Sequence, residues 1–408
     1  MRTFLFISLL CCSYFTALAG EETLLARGER VGGGISGGQN QFKVGGKDVK
    51  PTDILVVRFA PDAAPPRMQS GVFLRGGSLL AGSLASIIRD EAEITSAAFG
   101  ALKLKRDDVS GAFSPLPAGQ AENMPELAYY ASILCATLGT PGARLKPGTQ
   151  TRIKFAGLDE VTAEKLMRVG TEQILLSSKG KGVETIGRQY ARLLEIVVPA
   201  LAAPTPDDAK AGPEWIVRLK SGDLLRGRVM NVDGNGVTLK TTYFGEKRIE
   251  RGLLAAMFPV GGDVGVTWLS SIKPAKEAHT PFFDSSFPAR LDANTSGGDM
   301  LLRGVPVERG IGMHSKSELE FAIPAGSTRF VALAGIDDST RGRGVVSARV
   351  LADGKEIWKG ASLSAKDEPQ LIGADLGGAK TLRLEVDFGP DEDDSGDHFN
   401  WGWAAFVK

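Results

Sequence analysis

Along most of the chain, apolar and polar residues alternate in short runs that end at glycine, proline, asparagine or aspartate, the pattern of half-buried strands joined by tight turns. The alternation also repeats. Val72 to Phe113 aligns without a gap on Val217 to Phe258: Gly77-Ser78-Leu79-Leu80-Ala81-Gly82 falls on Gly222-Asp223-Leu224-Leu225-Arg226-Gly227, Phe99-Gly100 on Phe244-Gly245, and Phe113 on Phe258. Each copy predicts about five strands in some fifty residues, too little sheet to bury a core unless it curls on itself. Gly82 and Gly227 fall where such a strand bends, because a residue without Cβ tolerates the curvature. Two fainter copies are marked by Leu176, Gly182 and Ile186, and by Gly45, Val49 and Ile54. The stretch from Val161 to Val169 in one of them also allows a helical turn.

A unit of this size and order resembles an SH3-like or Sm-like barrel. The fold class expected is therefore mostly β, with tandem small SH3-like/Sm-like β-barrels followed by a C-terminal jelly-roll β-sandwich. The expected divisions are a signal peptide over 1–19, a degenerate barrel-like repeat over 20–66, a barrel over 67–118, a degenerate repeat with linker over 119–204, a barrel over 205–262 and the sandwich over 263–408. Proline-rich stretches at 61–66, 115–125 and 199–213 read as semi-rigid spacers between beads.

Composition narrows the class. With 51 glycines, 21 prolines and 7% aromatics, turns dominate over long helices. Acidic and basic residues balance to a formal charge of +0, so no global field draws in nucleic acid or anionic lipid. Lys103, Lys105 and Arg106 in one copy, and Lys247, Arg248 and Arg251 in the other, lack interleaved aromatics and read as solvated charge. Arg2, the apolar run Phe4 to Phe15 and Ala17-Leu18-Ala19 form an export signal, and no later run is long enough to insert in a membrane. Its removal leaves Cys135 alone, in an apolar segment that suits a buried, inert thiol. Gly34-Ile35-Ser36-Gly37-Gly38 fits a nucleophile pattern but lacks the strand and helix that chemistry needs, and no phosphate-loop, zincin or C-x-x-C motif occurs.

Candidate recognition chemistry gathers beyond residue 262, with all three histidines (His279, His314, His398) and Trp268, Trp358, Trp401 and Trp403. Strands are expected over 318–323, 329–335, 345–352, 357–359, 381–388 and 401–407. The run Gly310-Ile311-Gly312-Met313-His314, then Ala334-Gly335-Ile336-Asp337-Asp338, Ala352-Asp353-Gly354-Lys355 and Asp397-His398-Phe399-Asn400-Trp401 resembles the NPCBM family signature over about residues 264 to 408. The resemblance implies a carbohydrate-binding sandwich related to modules that recognise galactose-containing glycans.

Sugars are held by ring stacking and by directional hydrogen bonds to hydroxyls. On that chemistry His314, Asp337, Asp338, Arg341, Arg343, Asp397, His398, Asn400 and Trp401 are the candidate contacts. Trp401 and Trp403 should share one face of the last strand, where a core role competes with a sugar platform. Asp337 and Asp338 have turn-capping as their alternative, His314 has loop fixation, and the arginines have solvation. Asp391, Asp393 and Asp397 are candidate ligands of a structural calcium, with a solvated loop as the alternative; no other cofactor is expected. The whole reads as an exported, non-catalytic glycan binder, the alternative being an envelope assembly protein with protein partners.

Overall fold

The computed structural model describes residues 20–38, 40–59, 68–138, 150–196, 213–260, 265–282 and 286–408. The expected signal peptide, the spacer at 61–66 and nearly all of that at 199–213 lie outside the described residues. The expected mostly-β class holds, and no helix among the described residues is long and apolar enough to cross a membrane.

One strand pattern is laid down four times. The last copy runs Glu214–Leu219, Leu224–Asp233, Gly236–Thr241 and Gly245–Glu250, then a 3-10 turn Arg251–Leu253, then Leu254–Val260, which returns to pair with the first strand. The second copy, 71–113, repeats this order. In the other two the second strand is broken, as Arg30–Gly32 with Ile35–Gly38 and as Glu160–Ala163 with Lys165–Val169. The segment 161–169 is therefore strand on both sides of a short break, not a helical turn. Gly82 and Gly227 sit inside long strands where a Cβ would lie 2.1 Å from Thr95 O and 2.4 Å from Lys240 O, so glycine permits the close approach of the neighbouring strand.

The copies meet in pairs. Ala112 lies opposite Leu194 and Val57 opposite Met257, each the same position of its closing strand, so a local two-fold relates second to third and first to fourth. Second and fourth meet the same way: Leu79 pairs with Leu224, Ala81 N donates to Asp223 Oδ1 (2.9 Å), Arg226 N donates to Ser78 Oγ (3.0 Å), and Phe99 stacks on Phe244 with centroids 6.1 Å apart. Aliphatic side chains of all four copies, among them Ile54, Val72, Ile153 and Val217, form one continuous core.

Three of the four 3-10 turns open with arginine, and these arginines clamp neighbouring copies. Arg106 donates to Leu166 O, Arg188 to Leu84 O, Ala85 O and Gly170 O, and Arg251 to Glu21, Asp233 O and Ile35 O. The reading of Arg106 and Arg251 as solvated charge is thereby corrected: each is half-buried at a junction, where its fork satisfies backbone carbonyls or a carboxylate. The stretch 115–125, expected as spacer, carries helix α1 (Ala118–Asn123) and the start of α2 (Pro125–Leu138). Helix α2 buries Ala131 and Cys135, and burial pushes the Cys135 thiol up to about 11, which keeps it unreactive.

The C-terminal region is a sandwich of two antiparallel sheets. One orders Arg290–Leu291, Gly310–His314, His398–Val407, Arg329–Ile336 and Gln370–Asp375, with Val266–Trp268 beside the long strand; the other orders Lys276–His279, Ser317–Ala322, Thr381–Phe388, Val345–Ala352 and Lys355–Ser364. Phe321, Phe330, Leu384, Phe399, Trp401 and Phe406 pack between them.

Trp401 and Trp403 do not share a face. Leu333 pairs with Gly402 and Val331 with Ala405, so Trp403 and Ala404 together oppose Ala332, and Trp403 takes φ +47°. This β-bulge reverses the alternation: Trp401 points into the sandwich, Trp403 out of it. There Trp403, Trp268, Met300 and Leu302 share a second core with Leu24, Leu55, Ile216 and Phe258 of the first and fourth repeats. Buried Arg218 pairs with Glu308 at 3.5 Å, Glu308 accepts from Trp403 Nε1 (3.3 Å), and the guanidinium of Arg58 lies 5.7 Å from the Trp403 ring centroid. Burial pulls the Arg218 guanidinium below its ordinary range, opposed by Glu308. The sandwich is thus docked on the repeats through a paired, desolvated seam rather than hung from a spacer.

Candidate functional site

The other end of the long strand, 398–401, lies with the turn after Gly310–His314, the loop 337–344 and the acidic loop 389–397. Gly344 and Gly396 let the two loops touch: a Cβ on Gly344 would lie 2.0 Å from Gly396 O. Val345 N donates to Asp397 Oδ1 at 3.1 Å, which ties them.

All three histidines come together here. The His314 ring lies 5.4 Å from His398 and 6.4 Å from His279, and Phe287 stacks on it at 4.3 Å. Phe287 N donates to His279 Nε2 (3.0 Å), so His279 Nδ1 carries the proton it shares with Ser317 Oγ (2.9 Å). Burial lowers the pKa of His314, with His398 and His279 adding to the effect, and burial likewise lowers that of His398. Both rings are thereby neutral at pH 7, with one nitrogen donating and one accepting. His314 Nδ1 donates to Ser315 O at 2.8 Å, so it helps fix its turn as well as facing the cluster.

Asp397 is 1% exposed, and burial pushes its carboxyl up to about 6 against the neighbouring Ser315 hydroxyl and Val345 amide. Thr340 Oγ1, His398 Nδ1 and Asn400 Oδ1 make no hydrogen bond; nor does Trp401 Nε1, which belongs to the inner face of the strand. Most buried polar atoms in folded proteins are paired, and each exception costs about 1–3 kcal/mol. His398 and Asn400 alternate with the core residues Phe399 and Trp401, so their unpaired atoms belong to the outer face of the sheet, on the side of the loop that carries Thr340.

Asp337, Asp338 and Trp401 have structural partners of their own. Asp337 Oδ1 accepts from Ser339 N (2.9 Å) and Asn294 Nδ2 (3.2 Å), and Oδ2 from Asn400 Nδ2 (2.6 Å) and Leu301 N (3.0 Å), so its carboxylate is spent on joining three loops. Asp338 accepts from Arg303 N (3.0 Å) and Gly304 N (2.6 Å) and holds that turn. Trp401 is 0% exposed, packed edge-on against Phe399 and Trp358, and offers no ring face to solvent. Arg341 and Arg343 are exposed on the loop rim, with no ion pair among the described residues.

Asp393 Oδ1 accepts from Asp394 N, Ser395 N and Ser395 Oγ within its own turn, Asp391 is exposed, and Asp397 is turned inward. Among the described residues no three His, Cys, Asp or Glu side chains converge as cation ligands would. Sequence reasoning missed Phe287, Ser315, Thr340 and the hub Asn294. Only Asn294 carried a signal, in the turn-forming run Asn294-Thr295-Ser296-Gly297-Gly298.

Residues 265–407 match the NPCBM/NEW2 domain family, as the spaced motifs led one to expect. A Renibacterium salmoninarum protein named "Putative endo-alpha-N-acetylgalactosaminidase" is 30% identical over 94 residues, which cover 23% of this chain but only 6% of that protein. Among solved structures, a CBM51 module from Clostridium perfringens GH95 in complex with methyl-galactose is 21% identical and aligns over 35% of this chain and 99% of its own, with a TM-score of 0.32. The tandem CBM51 modules of the family 98 glycoside hydrolase from Streptococcus pneumoniae are 15% identical over 64% of this chain and 71% of theirs, with a TM-score of 0.32.

Proposed function

We propose that this chain is an exported, non-catalytic glycan-binding protein in which the C-terminal sandwich recognises sugar and four SH3-like units act as its scaffold. The observation that carries the reading is the set of unpartnered polar atoms of Thr340, His398 and Asn400, with the buried carboxyl of Asp397 next to them in the chain, at one end of an NPCBM/NEW2 domain. Neutral imidazoles and amide groups supply donors and acceptors, Arg341 and Arg343 supply forked donors at the rim, and Phe287 is the half-buried ring beside them. Affinity per site should be low, since a sugar buries little area and must shed water from its hydroxyls.

A glycan array with the full chain tests this, with galactosides first among the neutral sugars because of the family resemblance, and repeated after chelation. Binding that weakens in Asp397→Asn and Asn400→Ala, with folding intact, supports the proposal. An array with no neutral glycan bound refutes it and favours the alternative, an assembly protein of the envelope. Dependence on chelation would bring the calcium reading of the acidic loop back.

A further inference from the structure

The two-fold that relates the repeat pairs gives each junction a matching pocket, and the two pockets differ in charge. Between the fourth and first repeats, Arg251 lies in a pocket of about 390 Å³ and is met by both carboxylate oxygens of Glu21. Between the second and third, Arg106 takes the same place in a pocket of about 490 Å³. Strand register puts Thr151 where the first repeat has Glu21, so no carboxylate meets Arg106 from that side. Instead the third repeat contributes Lys165 and Arg168, and the second contributes Arg89. None of these three makes an ion pair among the described residues, and Asp90 is the one acidic residue of the lining.

Two further features separate the pockets. Arg89 takes φ +55°, a left-handed conformation, where the fourth repeat has Gly234; that conformation belongs to the two-residue hairpin turn between the paired Ile88 and Glu91, and it sets the Arg89 side chain at the pocket rim. A bulge between Leu166 and Arg168 leaves Met167 40% exposed, beside Ile88 at 49%, so aliphatic surface lies among the cations. In a chain of zero net charge, four cations here face one carboxylate, a local excess of positive charge.

We propose that the pocket between the second and third repeats binds an acidic saccharide, a uronate- or sulfate-bearing glycan. Guanidinium forks match planar carboxylates and sulfate oxygens, and Ile88 and Met167 suit the C–H face of a pyranose. The choice of a saccharide over an acidic peptide rests on the reading of the sandwich as a glycan binder; the charge argument does not.

Calorimetric titration of the full chain with a uronate oligosaccharide, a sulfated one, an uncharged one of equal length and oligoglutamate tests it. The expected result is binding of an acidic sugar that weakens with salt and falls about tenfold or more in Arg89→Glu/Arg168→Glu, while Asp397→Asn leaves it unchanged. Lys165→Gln/Arg168→Gln, with circular dichroism as the folding check, serves if charge reversal disturbs the fold. Absence of acidic-sugar binding, or binding indifferent to both double variants, overturns the proposal. Loss only in Asp397→Asn would assign the acidic glycan to the sandwich and leave that reading standing, and tighter binding of oligoglutamate would make the pocket a peptide site.

Discussion

The two halves of the strand His398–Val407 face opposite tasks. Beyond the bulge, Trp403 gives its indole N–H to Glu308, which also pairs with the buried Arg218. Before it, His398 and Asn400 each keep a buried polar atom without a partner on the face away from the core, while Trp401 packs inside. A seam between domains is most stable when its buried charges are paired, whereas unpaired groups are what the glycan site proposed above would offer a ligand.

The sharpest way to break this comparison is Glu308→Ala, which strands the buried Arg218 charge and should cost about 3–5 kcal/mol in denaturant unfolding; Arg218→Met/Glu308→Met together should recover most of it. A single-variant cost under about 1 kcal/mol would mean the seam is not desolvated. Trp401→Ala should come close behind, at about 3–4 kcal/mol, because it empties a core site. A stable Trp401→Ala that has lost sugar binding would contradict that core role.

Asp397→Asn sharpens the contrast. Its folded pKa of about 6 lies above the ordinary carboxylate value, so the folded state binds the extra proton and stability declines as pH rises through about 4 to 6. The variant should match the parent near pH 4 and exceed it by about 2 kcal/mol above pH 7, yet bind glycan more weakly. His314 and His398 act oppositely: their lowered values mean that stability is lost as pH falls below the ordinary histidine range, and replacing His398 by Gln should flatten that limb of the melting profile. Smallest of all, Arg341→Ala and Arg343→Ala should move stability by less than about 0.5 kcal/mol while reducing glycan affinity, and unchanged affinity would remove them from the site.

Local alternation was enough to read the sandwich strands, because one face of each is core: 318–323, 329–335, 345–352 and 381–388 lie within a residue of the observed elements. Gln370–Asp375 was missed, its alternation diluted by Gly373, as were the short strands between Val266 and His314, and 357–359 and 401–407 are the inner parts of the longer Lys355–Ser364 and His398–Val407. The repeat of Val72 to Phe113 was legible through side chains that both copies need, such as Gly82 and Phe99. Features that depend on two distant segments were not. The face of Trp403 is set by a bulge that no residue type announces, and the clamps of Arg106 and Arg251 depend on which copies pair. The same holds for the candidate site: residue types nominate Asp397, His398 and Asn400, but they do not tell whether an aspartate such as Asp337 is spent on neighbouring loops.

The equivalent-to-equivalent contacts at Leu79 and Leu224, or at Ala112 and Leu194, are those by which identical subunits associate, here joined in one polypeptide. In a homo-oligomer, any residue change is imposed on every subunit at once, and symmetry forbids two versions of one surface. Tandem fusion lifts that constraint, so one junction can keep a glutamate against its arginine while another gathers cations, and assembly and recognition can evolve apart.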